Sequence, residues 1–306
     1  MKVSIIGAGN VGGLTASGLC AFGVSEIVLV DALGNLARAK ALDLNDAAFL
    51  YKQSYRVAGT DDISSIAGSD ILVITAGIPR RPGMKREELV LKNSQIIKGI
   101  SVKIKSLCPE AVVIVVTNPL DAMTYQVIKE TGFLARRVLG MGLTLDCSRL
   151  ANLLAEKLGV AVTEIEPYII GAHGEGMLPL ARYTKIKGKP LDKYLKPEEI
   201  NKIFQRTVGR GAEIVSFLGS GSAYFAPSAA IAGLVRAIAK NTKEVLPVSA
   251  YLNGECGLKD LCIGLPCSLG RSGIEKIIEP ELNDREKQDF LESAESIKKQ
   301  LIKYNV

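Results

Sequence analysis

Apolar residues in this chain alternate between short dense runs and longer stretches where they recur every three or four positions. Residues 3–6, 27–30, 71–74 and 112–116 are the dense runs, and the last is the richest in β-branched side chains. Runs this short predict strands of a parallel sheet covered on both faces. Between them, residues 11–22, 35–50 and 87–107 read as helices. Regular strand–helix alternation predicts an α/β fold, a doubly wound parallel (Rossmann) sheet over residues 1–144. From about residue 145 the pattern changes. Helices are expected over 145–158, 197–218 and 226–238, and strands over 166–170, 245–252 and 261–265. That mixture predicts a second, α+β domain over residues 145–306. Near its end, Phe290, Leu291, Ala294, Ile297, Leu301 and Ile302 share helical spacing, which predicts an amphipathic helix with that face on the protein body.

Composition narrows the partners. With 306 residues, 47% hydrophobic and 23% charged, the chain reads as an ordinary globular protein large enough for two domains. The net charge of +6 comes from basic residues scattered among acidic ones, so no nucleic-acid footprint is expected. The apolar run at 111–116 is too short to cross a bilayer, and Met1 is followed at once by an apolar run, so no leader segment is expected. No membrane role is therefore expected. Six cysteines include no C-x-x-C pair and accompany a single histidine, so no metal site is expected either. Most of them sit beside aliphatic neighbours as small buried hydrophobes would, which favours a reducing, cytoplasmic location. Cys262 and Cys267 are close in sequence, but spacing alone does not establish a bridge.

Three stretches carry candidate chemistry. The first strand runs into Gly7-Ala8-Gly9-Asn10-Val11-Gly12, a G-x-G-x-x-G that opens a helix inside a βαβ unit. Gly7 would make the tight turn, Gly9 would admit a pyrophosphate, and Gly12 would let helix and strand pack. Asp31 ends the second strand, where a carboxylate accepts hydrogen bonds from ribose hydroxyls and repels the extra phosphate of NADP. The expected cofactor is NAD. Arg80, Arg81, Lys85 and Arg86 crowd a Pro/Gly-bounded loop after the third strand, at the strand end where open α/β sheets bind ligands. That loop reads as a lid for an anionic substrate. The only histidine, His173, sits in Gly171-Ala172-His173-Gly174-Glu175-Gly176 and is the one side chain able to exchange protons near neutral pH without a large shift.

Taken in order, these pieces resemble the 2-hydroxy-acid dehydrogenases that comprise the lactate and malate enzymes. The likeness runs through Thr75-Ala76-Gly77, Val116-Thr117-Asn118-Pro119, Leu145-Asp146-Cys147-Ser148-Arg149, the His173 segment and Gly221-Ser222-Ala223-Tyr224. It implies that His173 is the general acid and base and that Asp146 orients it. It further implies that Arg149 clamps the substrate's C1 carboxylate, Arg86 polarises the carbonyl, and Asn118 binds substrate and helps place the nicotinamide. Ser222 matches a hydroxyl position near that pocket. Gly7, Gly9, Asn10, Val11, Gly12, Asp31, Thr75, Ala76, Gly77, Asn93, Val116 and Asn118 match the cofactor-binding positions. Arg80 matches the substrate-selecting position, arginine in the malate enzymes and glutamine in the lactate enzymes, so a small dicarboxylic acid (malate or oxaloacetate) is implied. The reason is charge balance: a second carboxylate in a closed site needs a partner. A lactate or broad 2-hydroxy-acid enzyme and a non-catalytic NAD sensor stay open as alternatives. The resemblance also implies a homodimer or homotetramer.

Overall fold

The computed structural model of the protein describes residues 1–78 and 86–304. Its first half is built from strands β1 (Lys2–Ile6), β2 (Glu26–Val30), β3 (Arg56–Thr60), β4 (Ile71–Ile74), β5 (Val112–Val115) and β6 (Val138–Gly140). Helices α1 (Asn10–Ala21), α2 (Gly34–Tyr51), α3 (Arg86–Leu107) and α4 (Leu120–Thr131) connect them. The strand order is β3-β2-β1-β4-β5-β6, all parallel. β4 and β5 are buried along their whole length because helices cover both faces, as their unbroken apolar sequence requires. The chain leaves β1 towards one side and β4 towards the other, so the loops after these two strands diverge and leave a crevice at their carboxyl ends.

The second half opens with α5 (Leu143–Leu158), followed by β7 (Ile165–Glu166), β8 (Ile169–Gly171), β9 (Met177–Pro179), β10 (Lys185–Ile186) and β11 (Lys189–Pro190). Then come α6 (Pro197–Leu218), α7 (Phe225–Ala239), β12 (Val245–Asn253), β13 (Lys259–Gly270), β14 (Gly273–Ile277) and α8 (Asp284–Tyr304). β12 pairs antiparallel with β6 through Ser249 and Gly140, so the parallel sheet continues into β12, β13, β8 and β9. The expected strand at 166–170 is two short strands, β7 and β8, in different sheets. The α8 face differs from expectation as well. Phe290, Ala294, Ile297 and Leu301 are buried, whereas Leu291 is partly exposed and Ile302 is 81% exposed. The buried stripe is narrower than the apolar pattern because Leu291 and Ile302 lie away from the sheet and from α3 and α4, on which α8 packs.

Candidate active site

The dinucleotide turn is determined by what surrounds its missing β-carbons. Gly7 has φ of +111°, a conformation open to glycine, and accepts the Thr75 hydroxyl on its carbonyl at 2.8 Å. A β-carbon on Gly12 would collide with the Gly7 carbonyl oxygen, so helix α1 can sit against the turn only with glycine there. Gly9 is different. Its backbone is extended, and a β-carbon there would meet nothing within 4 Å. Nothing in the chain demands a glycine at that position, but a group lying against the turn would. Helix α1 has no side-chain cap and no acidic residue in its first turn, which leaves the N–H groups of Asn10, Val11 and Gly12 and the positive end of the helix dipole for an anion. Asp31, at the end of β2, accepts the Ala8 N–H at 2.6 Å and the Leu33 N–H at 2.9 Å. A carboxylate offers about four acceptor directions, so two remain for hydroxyl groups. These residues fit a dinucleotide.

The next two strand ends lie beside this turn. Thr75, Ala76 and Gly77 follow β4, and Val116 and Asn118 follow β5. Asn93 of α3 fastens the two segments together: its Oδ1 accepts the Ile78 N–H at 2.9 Å and its Nδ2 donates to the Asn118 carbonyl at 2.8 Å. Gly77 leaves space for Thr117 and Asn93, which a β-carbon would meet at 2.7 Å and 3.2 Å. The Asn118–Pro119 peptide is cis, and Asn118 itself is exposed on the wall of the cleft. Ser222 is exposed beyond the end of α6.

His173 follows β8 and lies between Gly142, just beyond β6, and Asp121 at the start of α4. A β-carbon on Gly142 would stand 2.8 Å from the His173 Cβ, which places the histidine directly over the start of α5. From the first turn of α5, Asp146 meets the His173 Nδ1 through Oδ2 at 2.7 Å and Arg149 Nη1 through Oδ1 at 3.2 Å. Asp146 is fully buried, and the side chains of His173 and Arg149 are 17% and 12% exposed. A buried carboxylate needs charged or donor partners, and here it has both. Burial of the His173 ring opposes its charged form. The charge of Asp146, its hydrogen bond and the charge of Asp121 outweigh that effect against a small opposing contribution from Arg149, so the imidazole pKa is raised above its ordinary value. Arg149 Nε is buried with no hydrogen-bond partner, a donor in want of an acceptor.

Asp121 was not singled out by its sequence, though it follows Asn118-Pro119-Leu120 directly. It is buried at the start of α4, accepts the His173 backbone N–H at 2.9 Å and accepts the Ser249 hydroxyl at 2.6 Å. Burial pushes its carboxyl pKa up, opposed by these two bonds and by the charge of His173. Asp121 thereby joins α4, the His173 loop and β12 at one point. A cleft of about 760 Å³ opens over His173, Asn118 and Pro119 and is lined on another side by α8. Arg80, Arg81 and Lys85 lie outside the described residues, and Arg86 is the first residue of α3.

Comparison with known proteins accords with this geometry. Residues 1–140 match the model of the lactate/malate dehydrogenase NAD binding domain. Residues 143–305 match that of the lactate/malate dehydrogenase alpha/beta C-terminal domain. The chain is 43% identical over 306 residues to a malate dehydrogenase of Methanosarcina mazei, with 100% of both chains covered. It is 44% identical over 299 residues to a malate dehydrogenase of Bacillus cytotoxicus, covering 97% of this chain and 96% of that one. Among solved structures, the malate dehydrogenase of Cryptosporidium parvum superposes with a TM-score of 0.96 at 35% identity, covering 99% of this chain and 98% of the other. The lactate dehydrogenase of Cryptosporidium parvum, complexed with lactic acid and nicotinamide adenine dinucleotide, gives 0.94 at 34% identity, with 97% and 96% covered. The strand order, the glycine turn and the full-length similarity agree: this chain belongs to the lactate/malate dehydrogenase family.

Proposed function

We propose that the chain is an NAD-dependent dehydrogenase that interconverts malate and oxaloacetate, with His173 as its general acid and base. The observation that carries the chemical part is the 2.7 Å contact between His173 Nδ1 and buried Asp146, beside Arg149, whose Nε is buried without a hydrogen-bond partner. When bound at the glycine turn, NAD would supply the hydride-transfer chemistry. Gly7, Gly9, Asn10, Val11, Gly12 and Asp31 would hold its adenosine and pyrophosphate, and Thr75, Ala76, Gly77, Val116 and Asn118 would line its continuation. With Nδ1 committed to Asp146, the ring exchanges protons at Nε2. There it takes the malate hydroxyl proton and gives it back to the oxaloacetate carbonyl oxygen. Asp146 fixes the tautomer and stabilises the imidazolium. Arg149 receives the C1 carboxylate, Arg86 stabilises negative charge on the carbonyl oxygen, and Arg80 partners the distal carboxylate. Asn93 positions the segments around the nicotinamide through its two bonds.

The two matched halves support a division of labour near residue 144, with cofactor held by the first and substrate by the second. Exposed apolar side chains support assembly of the protein as a homodimer or homotetramer. On α2, Leu42, Phe49 and Leu50 are 67%, 87% and 78% exposed; near the end of α6 and the start of α7, Phe217 and Phe225 are 86% and 70% exposed. All six cysteines are free, which accords with a reducing cytoplasm. No helix among the described residues is long and apolar enough to cross a membrane.

The test is a paired assay of NADH oxidation with oxaloacetate and with pyruvate. We expect a strong preference for oxaloacetate, and in Arg80→Gln a shift of that ratio towards pyruvate by about 100-fold or more, the scale of one unpaired buried charge. A wild-type preference for pyruvate, or an unchanged ratio in the variant, would contradict the role given to Arg80.

A further inference from the structure

The proposed mechanism leaves Lys40 unused, yet this side chain crosses from α2 to the dinucleotide turn. Its Nζ donates to the carbonyl oxygens of Ala8 and Gly9, each at 2.8 Å. We infer that Lys40 is a positioning residue for the cofactor, holding the carbonyls of the turn so that its N–H groups are presented to the pyrophosphate. The inference rests on the reading of this turn as the NAD site.

Three observations converge. The first is a clamp on a single residue: the Ala8 N–H donates to Asp31 Oδ2 at 2.6 Å while the Ala8 carbonyl accepts from Lys40. Both its backbone polar groups are thereby fixed by charged side chains, and the turn cannot rotate without breaking a charge-assisted bond. The second is Gly13, which lies outside the G-x-G-x-x-G pattern. A β-carbon there would stand 2.9 Å from Lys40 Cδ and 3.0 Å from Nζ, so glycine at this position opens the path along which the lysine passes α1. Glycine is a poorer helix former than alanine, and the lysine's passage accounts for its presence in the first turn of α1. The third is electrostatic. Carbonyl oxygens beside an anion site repel the anion, and an ammonium bonded to both offsets that repulsion and adds to the positive end of α1. Partial burial lowers the lysine pKa, with the charge of Asp31 acting in the opposite direction, as expected of an ammonium enclosed by the turn and the end of β2.

The experiment measures NADH binding by the fluorescence of the reduced nicotinamide, together with steady-state kinetics, in the full chain. Lys40→Met keeps the apolar stem and removes charge and donors. We expect its Kd for NADH to rise about tenfold, the scale of one charge-assisted hydrogen bond. Turnover at saturating NADH should fall less than about twofold, and Lys40→Arg should recover part of the affinity. A purely structural tether would instead lower thermal stability and turnover together without this split. The Gly13→Ala substitution supplies a second arm that does not depend on Lys40→Met folding well. Gly13→Ala should weaken NADH binding in the wild-type background and be nearly silent in Lys40→Ala, where no stem crosses the helix. Affinity in Lys40→Met within twofold of wild type, or an equal cost of Gly13→Ala in both backgrounds, would overturn the role. A wild-type protein that bound no NADH would overturn the reading of the turn itself, and the role of Lys40 with it.

Discussion

Between Gly7 and Gly12 the chain builds a site from backbone and missing β-carbons, whereas around His173 it builds one from charged side chains buried together. The turn draws its material from a short stretch of sequence, and side chains of Thr75, Asp31, Lys40 and Ser228 reach it from elsewhere. The proton-exchange site gathers Asp121, Asp146, Arg149, His173 and Ser249 from α4, α5, the loop after β8, and β12. A backbone site is sensitive to volume at each position and presents fixed dipoles. A side-chain site is sensitive to charge, because each buried ion depends on the others for its solvation. Substitutions that change charge without shape, or shape without charge, should therefore separate the two regions.

The largest effects are expected at the charged site. His173→Asn should slow oxaloacetate reduction about 1000-fold or more, at the upper end of what one general acid contributes, while NADH binds with nearly unchanged Kd. Asp146→Asn keeps the shape and removes the charge; a loss of about 100-fold or more in kcat is expected, again without loss of NADH affinity. If either variant lost cofactor affinity in proportion to its activity, the two regions would not be separable in the way described here.

At the turn the expected effects are on folding and on binding, and two glycines three positions apart should divide them. Gly12→Ala places a methyl group against the Gly7 carbonyl and should destabilise the fold by about 1–3 kcal/mol, read by chemical denaturation. Gly9→Ala projects into open space and should change stability by less than about 0.5 kcal/mol, while NADH affinity falls about tenfold. Equal loss of stability in the two variants would mean that Gly9, too, is required by the chain and carries no information about a ligand.

The smallest effect is expected at Asp121. Asp121→Asn can keep one bond to the His173 N–H and one to Ser249, so kcat should fall by about tenfold or less. The pH dependence should move with it. Oxaloacetate reduction needs the protonated imidazole, whose pKa is raised; the rate is therefore expected to hold above pH 6.5 and fall as pH rises through the raised value. Malate oxidation should rise over the same range. Removing the Asp121 charge should shift both limbs to lower pH, because Asp121 is one of the groups holding the proton on the ring. The same proton contributes to folding. This contribution is present in full below about pH 6.5 and is lost as pH rises through the raised native value.

The sequence made the turn readable because its residues are contiguous and its strands are dense apolar runs. Other parts were hidden for physical reasons. β3 (Arg56–Thr60) is an edge strand buried at only one position, so no apolar run marks it. β6 (Val138–Gly140) is too short to show a period. α4 is buried at ten of its twelve residues and so lacks the polar face that makes a helix legible. That gap concealed Asp121, which sits on α4 and contacts residues far away in sequence. Asp146, Arg149 and His173 were legible because their local motifs resemble those of a known family; their distances depend on long-range contacts that no local pattern reveals. Lys40 was concealed in the same way, among the charged residues of α2. Continuation of the sheet from β6 to β12 was equally out of reach, since it rests on the single pairing of Gly140 with Ser249.

Because the chain has one histidine, ¹⁵N-imidazole NMR reads the proposed acid–base group without assignment ambiguity. A titration of wild-type protein beside Asp146→Asn tests the central claim most directly. The account predicts a neutral ring protonated at Nδ1 and a pKa above the ordinary value of about 6.5 in the wild type, with both the tautomer preference and the upward shift lost in the variant. A wild-type ring that titrates at or below 6.5, or one unchanged by loss of the Asp146 charge, would contradict it.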